Sequence, residues 1–159
     1  MLNWHHRQRL EPSVAISPLE ANLAWTINWQ AEDREFIGRS SLKQQRENRP
    51  EYALVGLLMS ERGVLRAGQT VTAAGLSDKG LITSGTFSPT LQQGIALARV
   101  PHAFIQTAST PPTTPQSINV EIRGKQIPVE MVKPPFVRHG KAVYHYYGQR
   151  YGYSDDPNK

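Results

Sequence analysis

His5 and His6 are the first residues in this chain whose chemistry invites attention. Adjacent side chains project in different directions on any regular element, and no other histidine or carboxylate is spaced to complete a metal site with them. No cysteine is present, so thiolate zinc sites and disulfides are excluded and nothing calls for an oxidising compartment. There is no G-x-S-x-G, no H-E-x-x-H, no Walker A loop and no G-x-G-x-x-G. The residues alone therefore nominate no catalytic side chain and no metal ligand. Arg39 and Arg46 read as a solvated face, since no glycine-rich loop accompanies them to cradle a phosphate. Arg66, set between Leu65 and Ala67, would point away from Leu65 in an extended chain, where either an ion pair or a ligand contact suits it. His102, just after Pro101, reads as an ordinary loop-edge imidazole. The tail from Tyr144 to Lys159 holds Tyr144, Tyr146, Tyr147, Tyr151 and Tyr153 beside Arg150, a mixture able to stack on bases, although a frayed or partner-docked tail is the simpler reading.

The background to these residues is a lean, basic chain of 159 residues with 38% hydrophobic content, 12 Gly and 12 Pro. That balance suits many short strands and one mainly β domain. A net charge of +5 from 18 Lys and Arg against 13 Asp and Glu favours an acidic partner or anionic ligand, but the charges are scattered and nucleic acid is not expected. No apolar run approaches a membrane span and the N-terminal residues lack the apolar core of a secretion signal, so a cytoplasmic protein with no membrane association is expected.

Residues 1–15 show no period and are expected to be a poorly ordered or remnant segment. Ser17-Pro18-Leu19-Glu20 carries Ser at the N-cap, Pro at the first helical position and Glu at N3, the pattern of a capping box. Trp25-Thr26-Ile27-Asn28-Trp29 alternates and predicts a strand. Ser40 or Ser41 can cap a helix of two turns ending before Pro50, with Phe36 and Ile37 leading in and Leu42 facing inward. Tyr52 to Met59 predicts a strand buried on both sides, with Gly56 marking a bulge or a close backbone approach. Short strand pieces follow at Val64 to Gly68 and Thr70 to Thr72. Between Ser77 and Val100 two strands are expected, Gly80 to Thr83 and Gly94 to Val100, joined by a loop over Ser84 to Thr90 that a buried Phe87 would anchor. The proline-rich stretch Thr107 to Ser117 should be a surface excursion. Ile118, Val120 and Ile122 against Ile127, Val129 and Met131, turning at Arg123-Gly124-Lys125, give the clearest hairpin. Pro134-Pro135 ends its second strand.

Five stretches in order, ISPLEANLAWTI, EFIGRSSL, VGLLMSERGVLRAG, SGTFSPTLQQGIALARVP and VEIRGKQIPVEMVKPPFVRHGKAV, resemble the C-terminal barrel domain of the glycine cleavage system T-protein, a folate-dependent aminomethyltransferase. The resemblance runs from about Ile16 to Val143. It implies an antiparallel Greek-key type β-barrel with one or two short helices over 16–143, followed by a tyrosine-rich tail over 144–159. In that family the aminomethyl group carried on the lipoyl arm of H-protein passes to tetrahydrofolate, releasing ammonia and forming 5,10-methylenetetrahydrofolate.

The family's folate cleft and catalytic aspartate belong to an N-terminal region about twice as long as this chain, and no carboxylate here matches that aspartate. The resemblance thus implies a chain inactive without an N-terminal T-protein half, with tetrahydrofolate not bound by this chain alone and with lipoyl H-protein as a further partner. It carries over two folate-contacting candidates. Gln8-Arg9-Leu10-Glu11 is similar to the end of the family's L-R-L-E motif, whose arginine contacts folate, which makes Arg9 a candidate; but its spacing to Ile16-Ser17-Pro18 is several residues short, so a remnant or a chance match is an equal reading. Arg138, in Pro135-Phe136-Val137-Arg138, falls where the family's last domain approaches the folate tail, and a guanidinium fork suits the tail's carboxylates. An exposed arginine after the last strand is the plainer alternative. Two other readings compete with the split or truncated transferase. One is a stand-alone binding barrel; the other is a folate-binding relative of the tRNA-modification or N-methyl demethylase type.

Overall fold

The computed structural model describes residues 16–30, 34–109 and 118–147, grouped in two compact units, Met1–Glu51 and Tyr52–Lys159. The second unit is a closed antiparallel barrel built on β1 (Tyr52–Met59), β2 (Thr70–Ala73), β3 (Gly80–Ser88), β4 (Gln93–Pro101), β5 (Ile118–Ile122) and β6 (Lys125–Lys133). The hydrogen-bonded order is β1-β4-β3-β2-β5-β6, and β1 pairs again with β6 to close the ring. Strands β2, β3 and β4 follow one another as neighbours while β1 lies beside β4, the order of a Greek key. The expected fold class is borne out.

Closure depends on strand β1, which has antiparallel partners on both edges. Its inward residues Val55, Leu57 and Met59 stand opposite Ala98, Ala96 and Gly94 of β4. Large side chains on one strand thus fill the space left by small ones on the other, and all six residues are buried. Each large side chain withdrawn from water in this way contributes about 1.5–3 kcal/mol, provided the packing leaves no void. Leu58 is equally buried on the other face of the strand, so the run is covered on both sides as its continuous apolarity implies. Val71, Ile82, Val120 and Phe104 complete the interior.

Three connections depart from the sequence expectations. Ser84 to Ser88 is strand, not loop: β3 continues through a bulge between Ile82 and Ser84 and pairs with β4 as far as Ser88. The Thr83 hydroxyl at that bulge donates to the Leu97 carbonyl at 3.0 Å. The true turn is Pro89 to Gln92, where Ser88 Oγ accepts from the Leu91 N–H at 3.3 Å. Phe87 anchors nothing, being 43% exposed at the end of β3. Pairing along the whole of β4 outweighed the weak strand propensity of Ser-Gly-Thr. Val64 to Gly68 is likewise not strand but part of the crossing from β1 to β2, with Leu65 inserted into the interior. Finally, His102 opens a helix, α2 (His102–Ser109), where a loop was expected, and its Phe104 is fully buried.

The clearest hairpin is as expected. Arg123 and Gly124 take φ of 52° and 77°, the pair of positive values a tight turn of the primed kind requires, and β5 pairs with β6 from Ile118–Val129 to Ile122–Lys125.

In the first unit, Ser17 and Glu20 do form the capping box: the Glu20 N–H donates to Ser17 Oγ and the Ser17 N–H to Glu20 Oε2, each at 3.3 Å. The Trp25–Trp29 strand is absent. A single 3-10 turn spans Ala24–Thr26 and Trp25 is 82% exposed. With no edge to pair with, alternation alone cannot make a strand. Helix α1 covers Arg39–Asn48, entered from Gly38 at φ 91° and not from a serine cap. Phe36 and Ile37 are exposed and Leu42 only half-buried, so the inward lead-in expected for this helix is not seen.

Glycine 85 marks the tightest approach in the barrel. A Cβ there would collide with the Leu65 carbonyl, its carbon only 2.6 Å away, and backbone cannot yield as a side-chain tip can. Gly85→Ala should therefore lower stability by about 2 kcal/mol, seen as a lower urea midpoint with an unchanged denaturant slope. An unaltered midpoint would show that the β1–β2 crossing shifts freely.

Candidate functional site

Arg138 lies on the first strand of a small hairpin, β7 (Val137–Arg138) and β8 (Lys141–Ala142). Its turn residues His139 and Gly140 have φ of 51° and 73°, and the register sets Arg138 directly against Lys141. Two cations opposed across a strand pair repel, and both are exposed. The arrangement concentrates positive charge at a hairpin tip, a setting that an anion would relieve.

The hairpin's position is fixed by the residue before it. A Cβ on Gly56 would meet Phe136 Cε1 and Cζ at 2.9 Å and Val132 Cγ2 at 3.0 Å, so the Phe136 ring sits on the bare backbone of β1. The Val143 N–H donates to the Phe136 carbonyl at 3.0 Å and ties off the far side of the hairpin. The close backbone approach expected at Gly56 is thus the seat of the segment bearing Arg138. Arg9, the other candidate, lies outside the described residues, as do His5 and His6.

A second basic feature was not legible as one site in the sequence. A cleft of about 970 Å³ opens between the β1–β2 crossing and the β5–β6 turn, bordered by Arg62, Arg66, Arg123 and Lys125 against Glu61 and Glu121. Arg66 faces this cleft with its N–H bonded to Gln69 Oε1 at 2.7 Å. The triplets Glu61-Arg62-Gly63 and Arg123-Gly124-Lys125 both advertise exposed basic turns, but only the fold makes them neighbours. Among the described residues no group of three or more His, Cys, Asp or Glu could hold a metal ion, and no helix is long and apolar enough to cross a membrane.

The start of the tyrosine-rich tail is ordered as strand β9 (His145–Tyr146), paired to β6 through Tyr146–Val132 and His145–Lys133. The Tyr146 hydroxyl donates to Glu130 Oε2 at 3.1 Å, and its ring meets that of Tyr144 edge-on at 5.6 Å. Lys133 Nζ lies 5.6 Å from the centroid of Tyr147, a cation over a ring face. Burial pushes the Tyr146 phenol up, helped by its bonds to Tyr144 and Glu130. Burial alone raises Tyr147.

With this geometry in view, the family profile described as the glycine cleavage T-protein C-terminal barrel domain matches residues 53–138. The chain belongs to that family. An aminomethyltransferase from Pseudomonas syringae pv. tomato is 50% identical over 128 residues, 80% of this chain and 32% of that protein. The crystal structure of glycine cleavage system aminomethyltransferase T from Bartonella henselae superposes with a TM-score of 0.60 at 27% identity, covering 74% of this chain and 31% of that one. This chain of the T-protein barrel family therefore spans about a third of the length of the relatives it matches. Within the match lie β7 and Arg138.

Tyr147 packs against the barrel core and makes a pH signature. Below about pH 10, the ordinary tyrosine range, it is protonated folded or unfolded and its burial contributes in full. Above that range the unfolded chain loses the proton first, so stability falls as pH rises toward the raised folded value. The urea midpoint should decline as pH rises above about 10, and Tyr147→Phe should flatten that decline. Equal slopes in the two proteins would show that Tyr147 is not held neutral by its surroundings.

Proposed function

We propose that this chain supplies the C-terminal barrel of a T-protein-type aminomethyltransferase, which passes the aminomethyl group of lipoyl H-protein to tetrahydrofolate with release of ammonia, and that it works together with a folate-cleft polypeptide. The observation that carries this reading is the Arg138–Lys141 pair, held out on a hairpin seated at Gly56 in a domain of this family. The donors present fit one part of tetrahydrofolate and not the rest. A guanidinium and an ammonium suit the carboxylates of the folate tail through charge-assisted hydrogen bonds. No carboxylate of the described barrel is matched to the orienting of the pterin or to the stabilising of charge as ammonia leaves. That chemistry falls to the N-terminal region of the family, and Arg138 would hold and orient the substrate's tail for it.

The cleft edged by Arg62, Arg66, Arg123 and Lys125 suits the other partner. An acidic carrier protein presenting its lipoyl arm would be steered by such a surface, with an on-rate that falls steeply as salt rises. A cytoplasmic setting is part of this reading.

Both halves of the reading can be tested in the presence of a T-protein N-terminal region. Arg138→Ala should raise KM for tetrahydrofolate about tenfold or more with little change in kcat, the loss of a charge-assisted bond to a uniformly bound group. An unchanged KM would remove Arg138 from the site. Replacing Arg62 and Arg66 with Glu should slow transfer from lipoyl H-protein about tenfold at low salt, with the gap closing at high salt. A salt-independent effect would point to damage to the β1–β2 crossing and away from steering.

A further inference from the structure

The walls of the cleft at the β5–β6 turn are held by backbone. One wall is the crossing from β1 to β2 and the other is the turn from β5 to β6. In the crossing, the Arg66 N–H donates to Gln69 Oε1 at 2.7 Å and the Gln69 N–H donates to the Arg66 carbonyl at 3.3 Å. This small turn is pinned to β3, since the Gly68 N–H donates to the Ile82 carbonyl and the Ile82 N–H to the Gln69 carbonyl, each at 2.9 Å. Leu65, beside Arg66, is wholly buried in the core. In the opposite wall, Arg123 and Gly124 hold positive φ and Ile122 pairs with Lys125. Both walls are thus in place before any ligand arrives, and little backbone freedom is left to lose on binding.

The charge between these walls is unbalanced. Arg62 and Arg66 stand on one side and Arg123 and Lys125 on the other, with Glu61 and Glu121 as the carboxylates, a net +2 for the lining. Among the described residues, no ion pair or side-chain hydrogen bond neutralises any of the four cations. Like charges around one space oppose each other, and a polyvalent anion placed among them offsets that cost. Three of the four are arginines, whose guanidinium forks match phosphate oxygens in pairs. The rest of the lining is apolar in part, through Met59, Val64, Ile122 and Ile127, and Val64 is 42% exposed. A bare phosphate would leave that surface wet, whereas a ligand with an organic body would cover it. The volume of about 970 Å³ is ample for such a molecule, since small-molecule sites run from about 300 to 1,000 Å³. No aromatic ring lines the cleft, so the stacking platform that single-stranded nucleic acid uses is missing from it.

We propose that this cleft is a binding site for a small organic polyphosphate of nucleotide size, its phosphates clamped between the Arg62–Arg66 wall and the Arg123–Lys125 wall and its organic body laid on Val64, Ile122 and Ile127. The site is separate from the hairpin that bears Arg138. Phe136 seats that hairpin on Gly56, the partner of Val132, and Val132 is seven residues along β6 from Lys125, about 23 Å of strand. Binding here goes beyond the transferase reading and does not depend on it. The acidic carrier proposed above would be drawn by the same cations, so an occupied cleft would weaken that attraction.

The test titrates the full chain with ATP by calorimetry in metal-free buffer at low salt, with inorganic triphosphate and adenosine as probes of the two halves of the ligand. One ATP per chain is expected, bound about tenfold or more tightly than either probe, since charge and body are both held. Arg62→Gln/Arg123→Gln, one cation from each wall, should weaken ATP about tenfold or more. Arg138→Gln/Lys141→Gln, which removes the same charge at the other hairpin, should leave ATP binding unchanged. All four side chains are exposed, and unchanged urea midpoints would show both variants folded. Triphosphate bound as tightly as ATP would reduce the cleft to a charged surface and overturn the proposal. Equal loss in the two variants would leave net charge as the cause, and loss confined to the Arg138 variant would move the anion to that hairpin; either result overturns it. Absence of saturable ATP binding would overturn it as well, and would leave the functional reading standing, because that reading rests on Arg138 and the carrier.

Discussion

The small residues on the inner face of β4 set the terms for the rest of this molecule. Gly94, Ala96 and Ala98 leave room inside the ring for Met59, Leu57 and Val55, so the interior is filled without strain while β1 pairs with β6 on its other edge and closes the ring. Closure satisfies strand edges that would otherwise be open to another chain. It also commits both faces of β1. The inner face is filled by the core, and the outer face offers the bare backbone of Gly56 to the Phe136 ring. One strand therefore governs the stability of the barrel and the placement of the basic hairpin beyond it.

The same economy shows in the two basic turns. Arg123-Gly124 and His139-Gly140 each pair a positively charged or titratable residue at positive φ with a glycine at positive φ. The backbone strain at the non-glycine residue is the cost of a tight hairpin whose twist matches its strands. Placing charge at such tips keeps it in water, where repulsion between Arg138 and Lys141 is screened. A ligand carboxylate entering between them would gain more than it would at an isolated cation, so a hairpin of two-residue strands would suit the role proposed for Arg138.

Different physics orders the two units. The barrel is held by apolar burial, with Leu57, Leu65, Ile82 and Phe104 almost wholly withdrawn from solvent. The unit before it relies on a capping box, on the two bonds from Arg39, and on an arginine stacked on Trp29. Polar contacts of this kind contribute little each.

Local order was written plainly in the sequence: the alternation of Ile118 to Met131 around Arg123-Gly124, the continuous apolar run of β1, the close approach at Gly56, and the reciprocal caps of Ser17 and Glu20. Each is set by side-chain period, turn chemistry or hydrogen bonding within a few residues, so no knowledge of the fold is needed to see it. The class of the fold and the resemblance that placed Arg138 were legible for the same reason. Where partners distant in the chain decide, the sequence misled. Ser84 to Ser88 became strand because β4 offered a full-length edge, Trp25 to Trp29 failed to because no edge was offered, and α2 formed where Phe104 could fill the core. The gathering of Arg62 and Arg66 with Arg123 and Lys125 around one cleft is likewise a product of the β1–β2 crossing, since residues some sixty positions apart become neighbours only once the barrel closes.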